Sequence, residues 1–163
     1  DTHIKHLEGV LRQAAEHHGT SFVEVYQNCN VFNDGAFDYA TGRQTRAENT
    51  IELAHGQPLI FGADRQKGIR LNGLEPEVVE LGNGITEADL LVHDAHAPEP
   101  SLAYLLSRLR HEDGFPEPIG IFRAVDAPRY DEQLNAQVDA ARKERGDGDL
   151  SALINSGETW TVS

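Results

Sequence analysis

Ile4, Leu7, Leu11 and Ala14 recur at steps of three and four, which puts one apolar face on a helix near the start of the chain. Asp1 or Thr2 is placed to cap it, and Gly19 to stop it. Ser21 to Tyr26, "S-F-V-E-V-Y", is rich in β-branched and aromatic residues and predicts a strand. Between Gln27 and Pro58 the pattern is poor, apart from a short helix expected around Ala47 to Ala54. Short apolar runs then follow at Leu59–Phe61, Ile69–Leu71, Val78–Leu81 and Asp89–His93, punctuated by Gly and Asn. They predict strands, with a hairpin turn at Asn72-Gly73. A second helix is predicted by Leu102, Leu105, Leu106 and Leu109 behind Pro98 and Pro100. Pro118–Arg123 predicts another strand. A third helix carries Tyr130, Leu134 and Val138 on one line, with acids in its first turn, bases in its last and Gly146 beyond. Helices alternating with short strands argue for an α/β fold.

The composition suits one soluble domain: 163 residues, 39% hydrophobic, 25% charged. A net charge of −13 argues against nucleic acid and against anionic membranes as partners. No run approaches the roughly 18 apolar residues of a membrane span, and no charged-then-apolar leader opens the chain. A cytoplasmic protein is expected. The single cysteine fits a reducing compartment. The chain starts Asp1-Thr2-His3 and contains no Met, which we read as a segment of a longer protein.

That cysteine is the first candidate for chemistry. Cys29 sits among Asn28, Asn30, Asn33 and Asp34, polar turn formers that place it in a loop. It is either a small buried hydrophobe or a thiolate that loop amides stabilise, as a nucleophile or a metal ligand. A nucleophile needs a base, and His55, His93 and His96 are available. An iron–sulfur site needs several thiolates, so this chain could hold a cluster only with ligands supplied from elsewhere. His93, Asp94 and His96 in "V-H-D-A-H-A-P" form a second candidate, either a divalent-metal site of a stand-alone hydrolase or residues making local hydrogen bonds. The "G-D-G-D" of Gly146 to Asp149 reads as a helix stop and a turn. Arg43, Arg46, Arg65, Lys67 and Arg70 make a basic island that is either merely solvated or a contact for an acidic partner. A non-catalytic interaction domain is the remaining alternative.

"G-T-S-F-V-E-V-Y-Q-N-C-N-V-F-N-D", Gly19 to Asp34, resembles the β subunit of the two-subunit 2-oxoacid:ferredoxin oxidoreductases, most closely the 2-oxoglutarate branch. "F-G-A-D-R-Q-K-G-I-R-L", "L-A-Y-L-L-S-R-L" and "P-I-G-I-F-R" extend the likeness over nearly the whole chain. The resemblance implies the C-terminal part of a thiamine diphosphate-binding α/β fold, with a mixed or mostly parallel sheet flanked by helices. It implies a single segment: a helix–strand unit at 1–26, a cluster loop at 27–58, and the remaining α/β structure and tail at 59–163.

The implied cofactors are Mg²⁺-thiamine diphosphate and one [4Fe–4S] cluster. The first two would be bound mostly by residues outside this chain. Cys29 matches the family's fourth cluster ligand, with Asn30 and Asn33 beside it in the loop. The implied reaction is coenzyme A-dependent oxidative decarboxylation of a 2-oxo acid, 2-oxoglutarate to succinyl-CoA, with electrons passed to ferredoxin. The implied partners are the N-terminal half of the same subunit and an α subunit in an (αβ)₂ heterotetramer, with the basic island as a docking face. Asn30 stands where the family often has proline. The family's other cysteines and metal ligands are absent, so the chain alone is expected to be inactive.

Overall fold

The computed structural model describes residues 2–162. They form two compact units, residues 2–17 with Ser21–Asp126, and His18–Thr20 with residues 127–162.

The first unit opens on α1 (Ile4–Glu16). Asp1 lies outside the described residues. Thr2 does not cap the helix, because its hydroxyl donates to the Thr41 carbonyl at 3.1 Å. His17 already leaves the helix in an extended conformation, so Gly19 follows the end rather than making it. Ser21–Tyr26, expected as a strand, lies outside any sheet among the described residues. β-Branched content favours an extended chain, but a strand also needs a neighbouring edge to satisfy its N–H and C=O groups.

Two short helices follow, α2 (Asp38–Thr41) and α3 (Arg46–Asn49). The helix expected around Ala47 to Ala54 ends at Asn49, and Thr50 and Ile51 instead open strand β1 (Thr50–Leu53). β1 pairs in parallel with β5 (Glu117–Gly120), in the register Thr50↔Glu117 to Leu53↔Gly120. Gly120 has φ +116°, and a Cβ there would lie 3.1 Å from the Leu53 carbonyl oxygen. The glycine of "P-I-G-I-F-R" is therefore required by both conformation and space, and it ends the strand short of Arg123.

A second sheet is antiparallel: β2 (Ile60–Phe61), β3 (Lys67–Asn72) and β4 (Glu75–Glu80). Asn72 pairs with Glu75, so the β3–β4 hairpin turns through Gly73 at φ +67° and Leu74. The expected strand at Asp89–His93 is reduced to a 3-10 turn at Glu87–Asp89 and one bridge, Val92 to Pro58. Pro58 has no N–H to extend a ladder there. The remaining helix of this unit is α4 (Ser101–Ser107).

The core joins these pieces. Ile51, Leu59, Phe61, Ile69, Leu106 and Leu109 form one buried cluster drawn from β1, β2, β3 and the α4 region. Ile60, Val79 and Leu90 form a second on the antiparallel sheet. The result is a mixed α/β architecture with one parallel strand pair.

The second unit contains α5 (Tyr130–Arg145) and α6 (Leu150–Ile154). Gly146 follows α5 at φ +80°, and the Asp149 carboxylate accepts from the Ala152 N–H at 3.0 Å to cap α6. "G-D-G-D" is thus a helix stop and a cap, as its position in the sequence suggests. No residue of α5 is buried, and Tyr130, Leu134 and Val138 are all exposed. No helix among the described residues is long and apolar enough to cross a membrane.

Candidate functional site

The site is the loop that follows Tyr26. Cys29 begins a tight turn in which the Asn33 N–H donates to the Cys29 carbonyl at 2.9 Å. Asn28 holds the turn from inside. Its Nδ2 donates to Asn30 Oδ1 at 2.7 Å and to Asp34 Oδ1 at 2.9 Å, while its Oδ1 accepts from the Gly35 N–H at 2.9 Å. A short polar side chain that bridges its own backbone is the usual reason Asn recurs in turns. Gly35 completes the bend at φ +73°.

This geometry turns amides toward the sulfur. The backbone N–H of Phe32, then those of Val31 and Asn33, lower the Cys29 thiol below its ordinary pKa. Donors that favour the charged form make a thiol a better nucleophile and a better metal ligand. Cys29 is half-buried and is not among the buried core residues. Val31 and Phe32 beside it are 80% and 90% exposed, an apolar tip that nothing in the described structure covers.

Both ends of the loop are tied to one carboxylate. The Tyr26 hydroxyl donates to Glu117 Oε1, and the Tyr39 hydroxyl donates to Glu117 Oε2 at 3.1 Å. Tyr26 stacks on Phe37 with ring centroids 4.7 Å apart, and Tyr39 on His111 at 4.1 Å. Burial, and then the Glu117 carboxylate, raises the Tyr26 hydroxyl far above its usual pKa. The same two causes push Tyr39 up to about 12. Both tyrosines therefore stay protonated donors throughout the neutral range.

The second candidate does not assemble. The His93 side chain is wholly buried, and its Nε2 donates to the Ile121 carbonyl at 2.8 Å. Asp94 points the other way, to His55 Nδ1 at 3.3 Å and to the His96 N–H at 2.9 Å. His96 Nδ1 donates to the Ala124 carbonyl at 2.8 Å. No group of three or more His, Cys, Asp and Glu among the described residues could hold a metal ion. The hydrolase reading built on His93, Asp94 and His96 is thereby corrected: these residues make local hydrogen bonds. His93→Phe should cost about 1–3 kcal/mol by leaving the part-buried Ile121 carbonyl without its donor, read as a lowered denaturation midpoint with no change in bound metal.

The basic island is partly neutralised within the chain. Lys67 Nζ meets Glu48 Oε2 at 3.0 Å, and Arg70 Nε donates to Glu77 Oε1 of its cross-strand partner. Asn30 and Asn33 lie in the Cys29 turn and are exposed. Asn28, Tyr26, Tyr39 and Glu117 organise the loop, but Tyr26, Tyr39 and Glu117 do not stand out from sequence patterns. Only Asn28, beside the lone cysteine, carries a local signal.

A single thiolate cannot hold a cluster. The donor set nonetheless fits one corner of it: an accessible sulfur, a lowered pKa and amides directed at the negative charge.

The chain is an α/β protein related to an oxidoreductase subunit. The relative is the 2-oxoglutarate oxidoreductase subunit KorB of Mycobacterium tuberculosis (strain ATCC 25618 / H37Rv), 37% identical over 158 residues. That match takes in 96% of this chain but 42% of KorB, so the chain spans less than half the length of its curated relative. The resemblance carried by Gly19 to Asp34 is borne out. No family model matches the chain, and no solved structure matches it.

Proposed function

We propose that this chain is the C-terminal part of the β subunit of a 2-oxoglutarate:ferredoxin oxidoreductase, and that Cys29 supplies one ligand of a [4Fe–4S] cluster. The observation that carries this is the similarity to KorB over almost the entire chain. The rest of the ligand set would come from polypeptide outside these residues, and the α/β architecture would be the C-terminal part of a thiamine diphosphate-binding fold. When bound, Mg²⁺-thiamine diphosphate would supply the decarboxylation chemistry and the cluster one-electron transfer.

This chain's own contribution is narrower. Cys29 would bind as a thiolate whose charge the amides of Phe32, Val31 and Asn33 already stabilise. Hydrogen bonds to a ligating sulfur raise a cluster's potential by offsetting its negative charge. The exposed Val31 and Phe32 would pack against the adjoining polypeptide and keep water from the sulfur. Tyr130, Leu134 and Val138 on α5 offer apolar surface of the kind a subunit partner covers. The partner assigned to that surface is an α subunit, in a cytoplasmic assembly.

The test is an assay of the complete β subunit co-expressed anaerobically with its α subunit. We expect brown protein that reduces ferredoxin only when both 2-oxoglutarate and coenzyme A are present. Colourless protein that holds no iron, or reduction that ignores coenzyme A, would overturn the reading.

A further inference from the structure

We propose that Glu117 is a positioning residue for the Cys29 loop, a single carboxylate that clamps the loop shut through tyrosines at both of its ends. The chain enters the loop just after Tyr26 and leaves it just before Tyr39. Each hydroxyl donates to a different oxygen of the same side chain. Glu117 stands on the first residue of β5, paired with Thr50 of β1, so its backbone is fixed by the parallel sheet. The loop is thereby referenced to a paired strand.

The energetics favour such a device. Closing a loop costs chain entropy that grows with its length, and contacts that hold its two ends together offset that cost. A hydrogen bond to an ionised acceptor is roughly twice as strong as a neutral one. Two of them on one carboxylate leave neither oxygen to water alone. Ring stacking on Phe37 and His111 holds each tyrosine in orientation, so the hydroxyls have little rotamer freedom left to lose. The raised tyrosine pKa values mean that the donors persist across the neutral range. Opening either contact would release the turn in which the amides of Val31, Phe32 and Asn33 are directed at the sulfur. The clamp itself stands on geometry, while its relevance to a cluster rests on the reading of Cys29 given above.

Tyr39→Phe is the cleanest probe, since it keeps the ring and its stack on His111 and removes one donor. Hydrogen exchange in the complete subunit should then speed up about ten-fold at the amides of Asn28 to Asp34 and stay unchanged in β1 and β5. Tyr26→Phe should do the same, and the double variant should add little, because one broken contact already opens the loop. Alkylation of Cys29 at a single pH, followed on its own peptide by mass spectrometry, should fall, because the released amides no longer favour the thiolate. In the loaded complex, Tyr39→Phe should also alter the paramagnetic resonance line shape of the reduced cluster, which general destabilisation would not do. Loop exchange and alkylation within two-fold of the parent in both single variants would overturn the clamp, as would faster exchange spread evenly through the unit. The two proposals fail separately. If Cys29→Ala keeps the cluster signal while Tyr39→Phe loosens the loop, the clamp survives and the cluster assignment falls. The opposite pattern removes the clamp alone.

Discussion

Cys29→Ala in the assembled complex should abolish the reduced-cluster resonance and the brown colour, while the unfolding free energy of the cluster-free subunit stays within about 0.5 kcal/mol of the cluster-free parent. The two halves of that outcome come from different physics. A half-buried side chain in a surface turn has few packed neighbours to lose, so truncating it is nearly neutral for folding. A cluster ligand is different, because alanine offers no donor and three thiolates leave one iron open. Cys29→Ser should keep the size but lose most of the signal. A hydroxyl is far harder to deprotonate than a thiol and is a poorer match to iron than sulfur. The turn amides that favour a thiolate cannot make up that difference. A signal that survives Cys29→Ala at full intensity would remove the proposed role. A loss of several kcal/mol of stability in the cluster-free subunit would return Cys29 to the role of a packed hydrophobe.

The helices were the most legible part of the sequence. α1, α4 and α5 all show apolar residues at helical spacing, and all three form near their expected bounds. Periodicity reports which face is apolar but not what covers it. Ile4 on α1 and the whole stripe of α5 remain exposed, although their spacing marks them correctly as apolar faces. Strands were less legible for a related reason. β3 and β4 pair with each other across a glycine turn, and local signals suffice for such a hairpin. Ser21–Tyr26 has equally good strand composition and no ladder, since pairing depends on a partner remote in sequence. Thr50 and Ile51 went the other way. Their partners in β5 are distant along the chain, and short-range reading favoured a helix through them.

The site divides in the same manner. Cys29 and its asparagines were visible because turn chemistry is local. The carboxylate that anchors their loop was not, as Glu117 lies 91 positions from Tyr26 and 78 from Tyr39. His93, Asp94 and His96 illustrate the opposite error. Neighbours along an extended chain point to opposite sides, so His93 enters the core while Asp94 faces His55 outside. Closeness in sequence there was evidence against a shared metal.

Ile69→Ala should destabilise the first unit by about 2–5 kcal/mol. Ile69 is 0% exposed at the middle of β3, and it packs with Ile51, Leu59, Phe61, Leu106 and Leu109. Its backbone is held on both sides, with its N–H donating to the Leu59 carbonyl at 3.0 Å and its carbonyl accepting from the Leu91 N–H at 2.8 Å. The strand therefore cannot slide in to fill the space, and a cavity adds its cost to the lost transfer energy. Domains of this kind are stable by only about 5–15 kcal/mol, so a large share is at risk. Ile69→Val removes one methyl and should cost about 0.5–1.5 kcal/mol. Leu134→Ala on α5 is the control. That side chain is 45% exposed, and its truncation should change stability by about 0.5 kcal/mol or less. Chemical denaturation of the complete subunit, followed by hydrogen exchange at β3 and at α5, separates the three. The effect should also reach the Cys29 loop, because Ile51 of the same cluster lies on β1, the strand that holds Glu117 in register. Equal losses for Ile69→Ala and Leu134→Ala would mean that the six-residue cluster is not the core on which that register depends.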